Sequence, residues 1–193
     1  MKKQLQFSLL AVFALFLSSC SYNNMVSKEE AVTAQWANVE SSYQRRADLI
    51  PNLVSTVKGV ADYERETLEA VVNARAKATG ITVDAKELTP EAIQQFQEAQ
   101  SQLSGALSRL LVTIEKYPDL KATQSFMELQ SQLESTENRI NVERRKFNEA
   151  AQDYNAYIRK FPQVVYSGWF GFEKKGYFEA DAGAEKAPKV EFK

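Results

Sequence analysis

The stretch Gln44–Glu64, QRRADLIPNLVSTVKGVADYE, decides the fold, because it sets charge and a proline into an apolar pattern of helical period. Upstream of it, Val32, Trp36, Val39 and Tyr43 recur at steps of 4, 3 and 4, one face of an α-helix. That face runs into Arg45, Arg46 and Asp48 and then meets Pro51. Proline lacks a backbone N–H and disfavours the α region at the residue before it, so the chain either turns a corner here or kinks and continues. A corner is the expectation, with Pro51 in the first turn of a second helix.

On that reading the second helix carries Leu53, Val57, Val60, Leu68, Val71 and Ala78 on one stripe and stops at Gly80. Residues 80–88 read as an exposed connection, with 81–83 a short extended piece. Thr89-Pro90-Glu91 supplies an N-cap, a first-turn proline and an acidic first turn for a third helix. Its stripe, Phe96, Gln100, Leu103, Leu107, Leu110, Ile114 and Tyr117, alternates steps of 4 and 3 until Pro118 stops it. A fourth helix runs to about Lys160, with Phe126, Leu133, Ile140, Phe147, Tyr154 and Phe161 at seven-residue spacing, and Pro162 ends it. Four amphipathic helices, short joints and no strand pattern predict an all-α fold, an antiparallel four-helix bundle of long helices. With only 7 Gly and 5 Pro in 193 residues the chain lacks the turn formers that a β-rich fold uses.

Two core positions of the fourth helix are charged. Glu137 falls between Leu133 and Ile140, and Arg144 between Ile140 and Phe147. Opposite charges facing an interior need partners, since an unpaired buried charge is very costly. The corner offers them: Asp48 for Arg144, and Arg45 or Arg46 for Glu137, a network that would fix helix register. The alternative makes the same residues a site for an anionic or peptide partner, or makes Asp48 and Glu137 the acid/base pair of an envelope hydrolase. The sequence supplies no sign of a sugar-binding cleft, and the adjacent arginines would hold both acids ionised. No catalytic residue is therefore expected. The chain has no histidine, which removes Ser-His-Asp and Cys-His systems and His-ligated zinc. No metal or cofactor is expected. A formal charge of -1 without a basic block argues against nucleic acid as a partner.

The N-terminal residues give an address. Met1–Lys3 is cationic, and Phe7–Leu17 is an apolar run broken only by Ser8. Eleven residues are too few for a relaxed span, which needs ~20, and suit the apolar region of a secretion signal. Leu17-Ser18-Ser19-Cys20 follows and resembles the bacterial lipoprotein lipobox. By that resemblance Cys20 becomes the acylated first residue of the mature chain, and several acyl chains would anchor it stably. Loss of Lys2 and Lys3 would leave 22 basic against 25 acidic residues.

Toward the other terminus, Tyr166, Trp169, Phe170, Phe172, Tyr177 and Phe178 crowd into thirteen residues around Gly168, Gly171 and Gly176. The favoured reading is an aromatic strap folded back over the bundle. The alternative is a partner or membrane patch of Trp169, Phe170, Phe172, Lys174 and Lys175. The expected organisation is a signal peptide at 1–19, a lipidated polar tether at 20–27, the bundle at 28–178 and a flexible tail at 179–193.

Several runs are similar to the LemA family signature: Gln35-Trp36, the whole of Gln44–Val54, Val57-Lys58-Gly59, Glu137-Asn138-Arg139-Ile140, Arg144–Asn148, Tyr154-Asn155, Phe161-Pro162 and Phe170-Gly171-Phe172. The resemblance covers about 21–178. It implies a helical bundle held at a membrane by its N-terminus, with no established activity and no catalytic residues to carry over. Many members of that family keep an N-terminal transmembrane helix, whereas this chain shows a shorter apolar run and a lipobox. Together these readings predict a lipid-anchored, periplasm-facing envelope module with a structural or protein-interaction role and an envelope protein as partner. The alternative anchor is an uncleaved N-terminal helix, and the choice of inner or outer membrane stays open.

Overall fold

The computed structural model describes residues 2–58 and 64–180, and of residues 2–20 the backbone alone. Among these residues there are helices and no strand. Four helices are long: α1 (Lys2–Lys58), α2 (Arg65–Gly80), α3 (Pro90–Ile114) and α5 (Gln124–Ile158). Two single turns, α4 (Pro118–Lys121) and α6 (Gln163–Tyr166), and a 3₁₀ turn at Gly168–Phe170 complete the body. The expected Thr89 cap is in place, its hydroxyl accepting from the Ala92 N–H at 3.2 Å with Pro90 just inside the helix.

The corner expected at Pro51 is absent, for α1 passes through that proline unbroken. In a helix the missing N–H of Pro51 would have served the carbonyl of Ala47, four residues back. Arg75 of α2 supplies the donor instead, its Nε lying 2.8 Å from the Ala47 oxygen. Leu53 and Val57 are therefore core residues of α1, while Val60 lies outside the described residues. The expected tether is also helical from Ser21 onward, and its Met25 is fully buried. The signal-peptide and Cys20 side chains and the tail beyond residue 180 lie outside the described residues.

Pairwise contacts fix the helix directions. Lys28 pairs with Asp153 and Arg46 with Glu137, so α1 and α5 run in opposite senses. Ala47 meets Arg75 while Lys58 and Arg65 border one cleft, so α2 runs back along α1, and Ala78 meets Gln100 while Glu66 and Arg109 border another, so α3 runs back along α2. The apolar interior falls into two clusters. One joins Met25, Val32, Trp36, Val39 and Tyr43 of α1 to Phe96 of α3, and to Phe147, Tyr154 and Ile158 of α5. The other joins Ile50, Leu53 and Val57 to Leu68 and Val71 of α2, Leu103–Ile114 of α3 and Phe126 and Leu133 of α5. The connection at 81–88 is more than an exposed link, since Val83 and Leu88 are buried in the first cluster. The seven-residue pattern of α5 holds from Phe126 to Tyr154 and fails at Phe161, which is 83% exposed beyond the helix end.

Candidate functional site

Arg46 sits where the two apolar clusters meet, between Tyr43 and Ile50 on the buried stripe of α1, and is 2% exposed. Its fork reaches across to two other helices. Nη1 donates to Ser104 Oγ (2.8 Å) and Glu137 Oε2 (2.9 Å), and Nη2 donates to the side-chain and main-chain oxygens of Gln100 (2.8 and 3.3 Å). Gln100, itself buried, passes the chain on by donating to the Ala78 carbonyl near the end of α2. A planar fork with several donors is what lets one guanidinium bind three side chains at once. Glu137 is 46% exposed, so the pair is a half-wet anchor for a buried cation rather than a dry ion pair.

The other charged residues of the stretch stand apart. Arg45 is exposed, and Asp48 is exposed and accepts from Gln44 Nε2 at 2.7 Å. The expected Asp48–Arg144 pair does not form: Arg144 donates to the Glu179 carbonyl (2.7 Å) and lies over the Phe178 ring. The physical reason is register: with Arg46 opposite Glu137 in antiparallel helices, Arg144 lies about 13 Å along the axis from Asp48, beside the strap instead. An open cleft of about 720 Å³ lies between the end of α1 and α2, lined by Val54, Lys58, Arg65, Leu68 and Glu69, and includes neither Asp48 nor Glu137. Among the described residues no acidic or cysteine cluster could hold a metal ion.

The strap is a second built region. After the 3₁₀ turn, Gly171 at φ 77° reverses the chain into a conformation that glycine takes without strain. Side-chain amides then clip the main chain. Asn155 accepts from Lys175 N and donates to Lys175 O, and Asn148 does the same for Phe178, all at 2.8–2.9 Å. Gln97 of α3 makes the matching pair with Glu179, at 3.0 Å for both bonds. Gly176 N donates to Leu88 O, and a Cβ at Gly176 would lie 2.8 Å from Pro90 Cα. Phe178 thereby enters the first cluster, stacked on Trp36 and edge-on to Phe96 and Phe147.

Of the patch expected in this segment, the structure splits the members. Phe172 is buried, and Lys175 is 4% exposed, paired with Glu29 (2.8 Å) and set over the Tyr154 ring. Burial raises the Tyr154 phenol above its ordinary range, with the charges of Glu29 and Glu173 adding. Trp169, Phe170 and Lys174 are exposed. Sequence reasoning missed Arg75, Gln97, Asn148 and Asn155. The seven-residue interval between the two asparagines, each following a buried aromatic, was the available signal.

The sequence profile of the LemA family matches residues 35–192, a span that takes in both the Arg46 layer and the strap. The chain belongs to the LemA family. Among its relatives are magnetosome protein MamQ 2 of Paramagnetospirillum magneticum, 26% identical over 82% of this chain and 64% of that one, and MamQ of Magnetospirillum gryphiswaldense, 27% identical over 84% and 66%. Protein LemA of Metamycoplasma hominis is 24% identical over 72% of this chain and 60% of its own. The chain thus spans less than two thirds of the length of these curated relatives. Neither "LemA" nor "magnetosome protein" names an enzymatic activity.

Proposed function

We propose that this LemA-family protein is a lipid-anchored, non-catalytic module of the bacterial cell envelope, a rigid antiparallel four-helix bundle that faces the periplasm and engages a protein partner. The observation that carries the reading is the absence of slack between anchor and body. Ser21 and Tyr22, directly after Cys20, are already packed: Ser21 Oγ accepts from Gln163 Nε2 (3.4 Å), and Tyr22 lies edge-on to Phe170 and Phe172. Whatever holds Cys20 therefore holds the whole body.

The antiparallel helix contacts support the bundle, and the lipobox-like Leu17-Ser18-Ser19-Cys20 supports acylation. The charged residues have structural employment, since Arg46 donates to side chains of both α3 and α5 and Asp48 faces solvent. Mass spectrometry of the N-terminus of protein isolated from membranes tests the anchor: acylated Cys20 is the expected result, and an intact Met1 overturns it. The second reading, an uncleaved N-terminal helix, is favoured by one feature, the passage of the α1 backbone through Cys20 without a break. No described helix is long and apolar enough to cross a membrane. Crosslinking in intact envelopes followed by pull-down identifies the partner.

A further inference from the structure

Five of the ten large hydrophobic residues that stand exposed among the described residues fall within positions 161–170. Phe161 and Trp169 are each 83% exposed, and Val164, Val165 and Phe170 more than half. Tyr22, also exposed, touches Phe170, while the other four are spread over α2, α3 and α5; scattered residues need no explanation, whereas a group marks a contact surface. The group is rigidly presented: Val164 N donates to Lys160 O, and the turn that carries Trp169 is closed by Phe172 N donating to Ser167 O.

Its position selects the occupant. Gln163, between Phe161 and Val164, touches Ser21, and Phe170 touches Tyr22, so this segment lies against α1 at residues 21 and 22. Ser21 is four residues after Leu17, the end of the apolar run, and the helix rises about 6 Å over that interval. A bilayer that takes either the N-terminal apolar segment or acyl chains on Cys20 therefore reaches the face. The residue types suit that depth, since indole and phenyl rings favour the boundary between acyl chains and headgroups. Exposed Arg159, Lys160 and Lys174 adjoin the rings in sequence and add positive charge suited to anionic headgroups.

We infer that the end face of Phe161, Val164, Val165, Trp169 and Phe170 seats in the headgroup region of the lipid bilayer, so that the body docks on the membrane as well as being tied to it. This rests on the membrane-anchored reading. The chain carries its own probe: Trp36 is fully buried, so quenching from outside reports on Trp169. Full-length protein isolated from membranes is reconstituted into phosphatidylcholine–phosphatidylglycerol vesicles, with and without acyl chains brominated near the headgroup. The expected result is flotation with the vesicles, loss of most of the Trp169 emission in brominated lipid and a blue shift against detergent. Trp169→Phe abolishes the quenching, and the Phe161→Ser/Phe170→Ser variant, which keeps Trp169, floats with much reduced quenching. Flotation with Trp169 unquenched and open to aqueous acrylamide overturns the inference and leaves the anchor standing. Flotation with Trp169 unquenched yet shielded from acrylamide overturns it in favour of a protein cover, a second copy included. Failure to float overturns anchor and docking together.

Discussion

Replacing Arg75 by methionine removes the one group that stands in for the missing Pro51 N–H while keeping much of the side chain's apolar length. The acceptor left behind, the Ala47 carbonyl, belongs to a residue only 3% exposed. A buried acceptor without a partner costs ~1–3 kcal/mol, and since Arg75 is half-buried and its bond partly solvent-screened, a loss of about 1–2 kcal/mol is expected. For a chain of this size that corresponds to roughly 2–8 °C in Tm. Urea and thermal unfolding followed by far-UV circular dichroism read the change directly.

The double-mutant cycle sharpens the test. Pro51 is exposed, so Pro51→Ala opens no cavity, and it restores the N–H that the Ala47 oxygen lacks. In that background Arg75→Met should cost less than about 0.5 kcal/mol, a coupling near 1 kcal/mol between residues on different helices. Equal losses in the two backgrounds would refute the claim that Arg75 repairs the proline.

Other perturbations read the strap and the polar layer. Gly176→Ala drives a Cβ to 2.8 Å from Pro90 Cα and 2.9 Å from Thr89 O, main-chain atoms that cannot swing aside, and should cost ~1–3 kcal/mol with earlier proteolysis of 172–180; wild-type resistance would show the strap to be loosely held. Glu137→Gln should cost below ~1 kcal/mol because the carboxylate is half-exposed, whereas Gln100→Leu strips Arg46 and Ala78 of buried partners and should cost about 2 kcal/mol; the reverse order in urea would sink the ranking. The raised Tyr154 phenol means that the folded chain keeps a proton the unfolded chain gives up, so the associated stability is whole below an unfolded pKa of ~10 and drains as pH rises past it. Tyr154→Phe should therefore flatten the decline in stability above about pH 10, and parallel pH profiles for the two proteins would discount the buried phenol.

What the sequence disclosed tracks with what periodicity encodes. The stripe of α3 and the seven-residue repeat of α5 name residues that are buried, because a helix that packs along one side must place apolar groups at those steps. Either arginine was open as the partner of Glu137, and the structure selects Arg46, three after Tyr43 and four before Ile50, over Arg45, one position off the stripe. Pro51 misled because its compensation lies elsewhere: no local rule reveals a guanidinium 28 positions beyond the Ala47 carbonyl that it serves. The strap misled for a related reason. Asn148, Asn155 and Gln97 bond main-chain atoms, which every residue has, so the partner leaves no trace in composition. Lys175 looked like a surface cation until Glu29 and the Lys86 carbonyl were brought to it.

The repair at Pro51 bears on how the two ends of the molecule communicate. A corner there would have made the segment after the proline a separate lever, hinged against the part that follows the N-terminal apolar run. Because α1 continues, one helix carries the apolar run, the first cluster, the Arg46 layer and the first half of the second cluster. From Ser21 to Lys58 that is about 55 Å of helix without a break. Arg46 ties α1 to α3 and α5 midway, Arg75 ties it to α2 beside the weak point, and the strap closes the end of the body near Glu29 and Trp36 through Lys175 and Phe178. Bending α1 at the proline would have to break the Arg75 bond and shear the second cluster together, and a hinge that breaks both is not a soft one. The residues that interrupt the apolar pattern thus serve one mechanical end: they keep α1 continuous through both clusters, so that the two ends of the body hold a fixed separation and orientation.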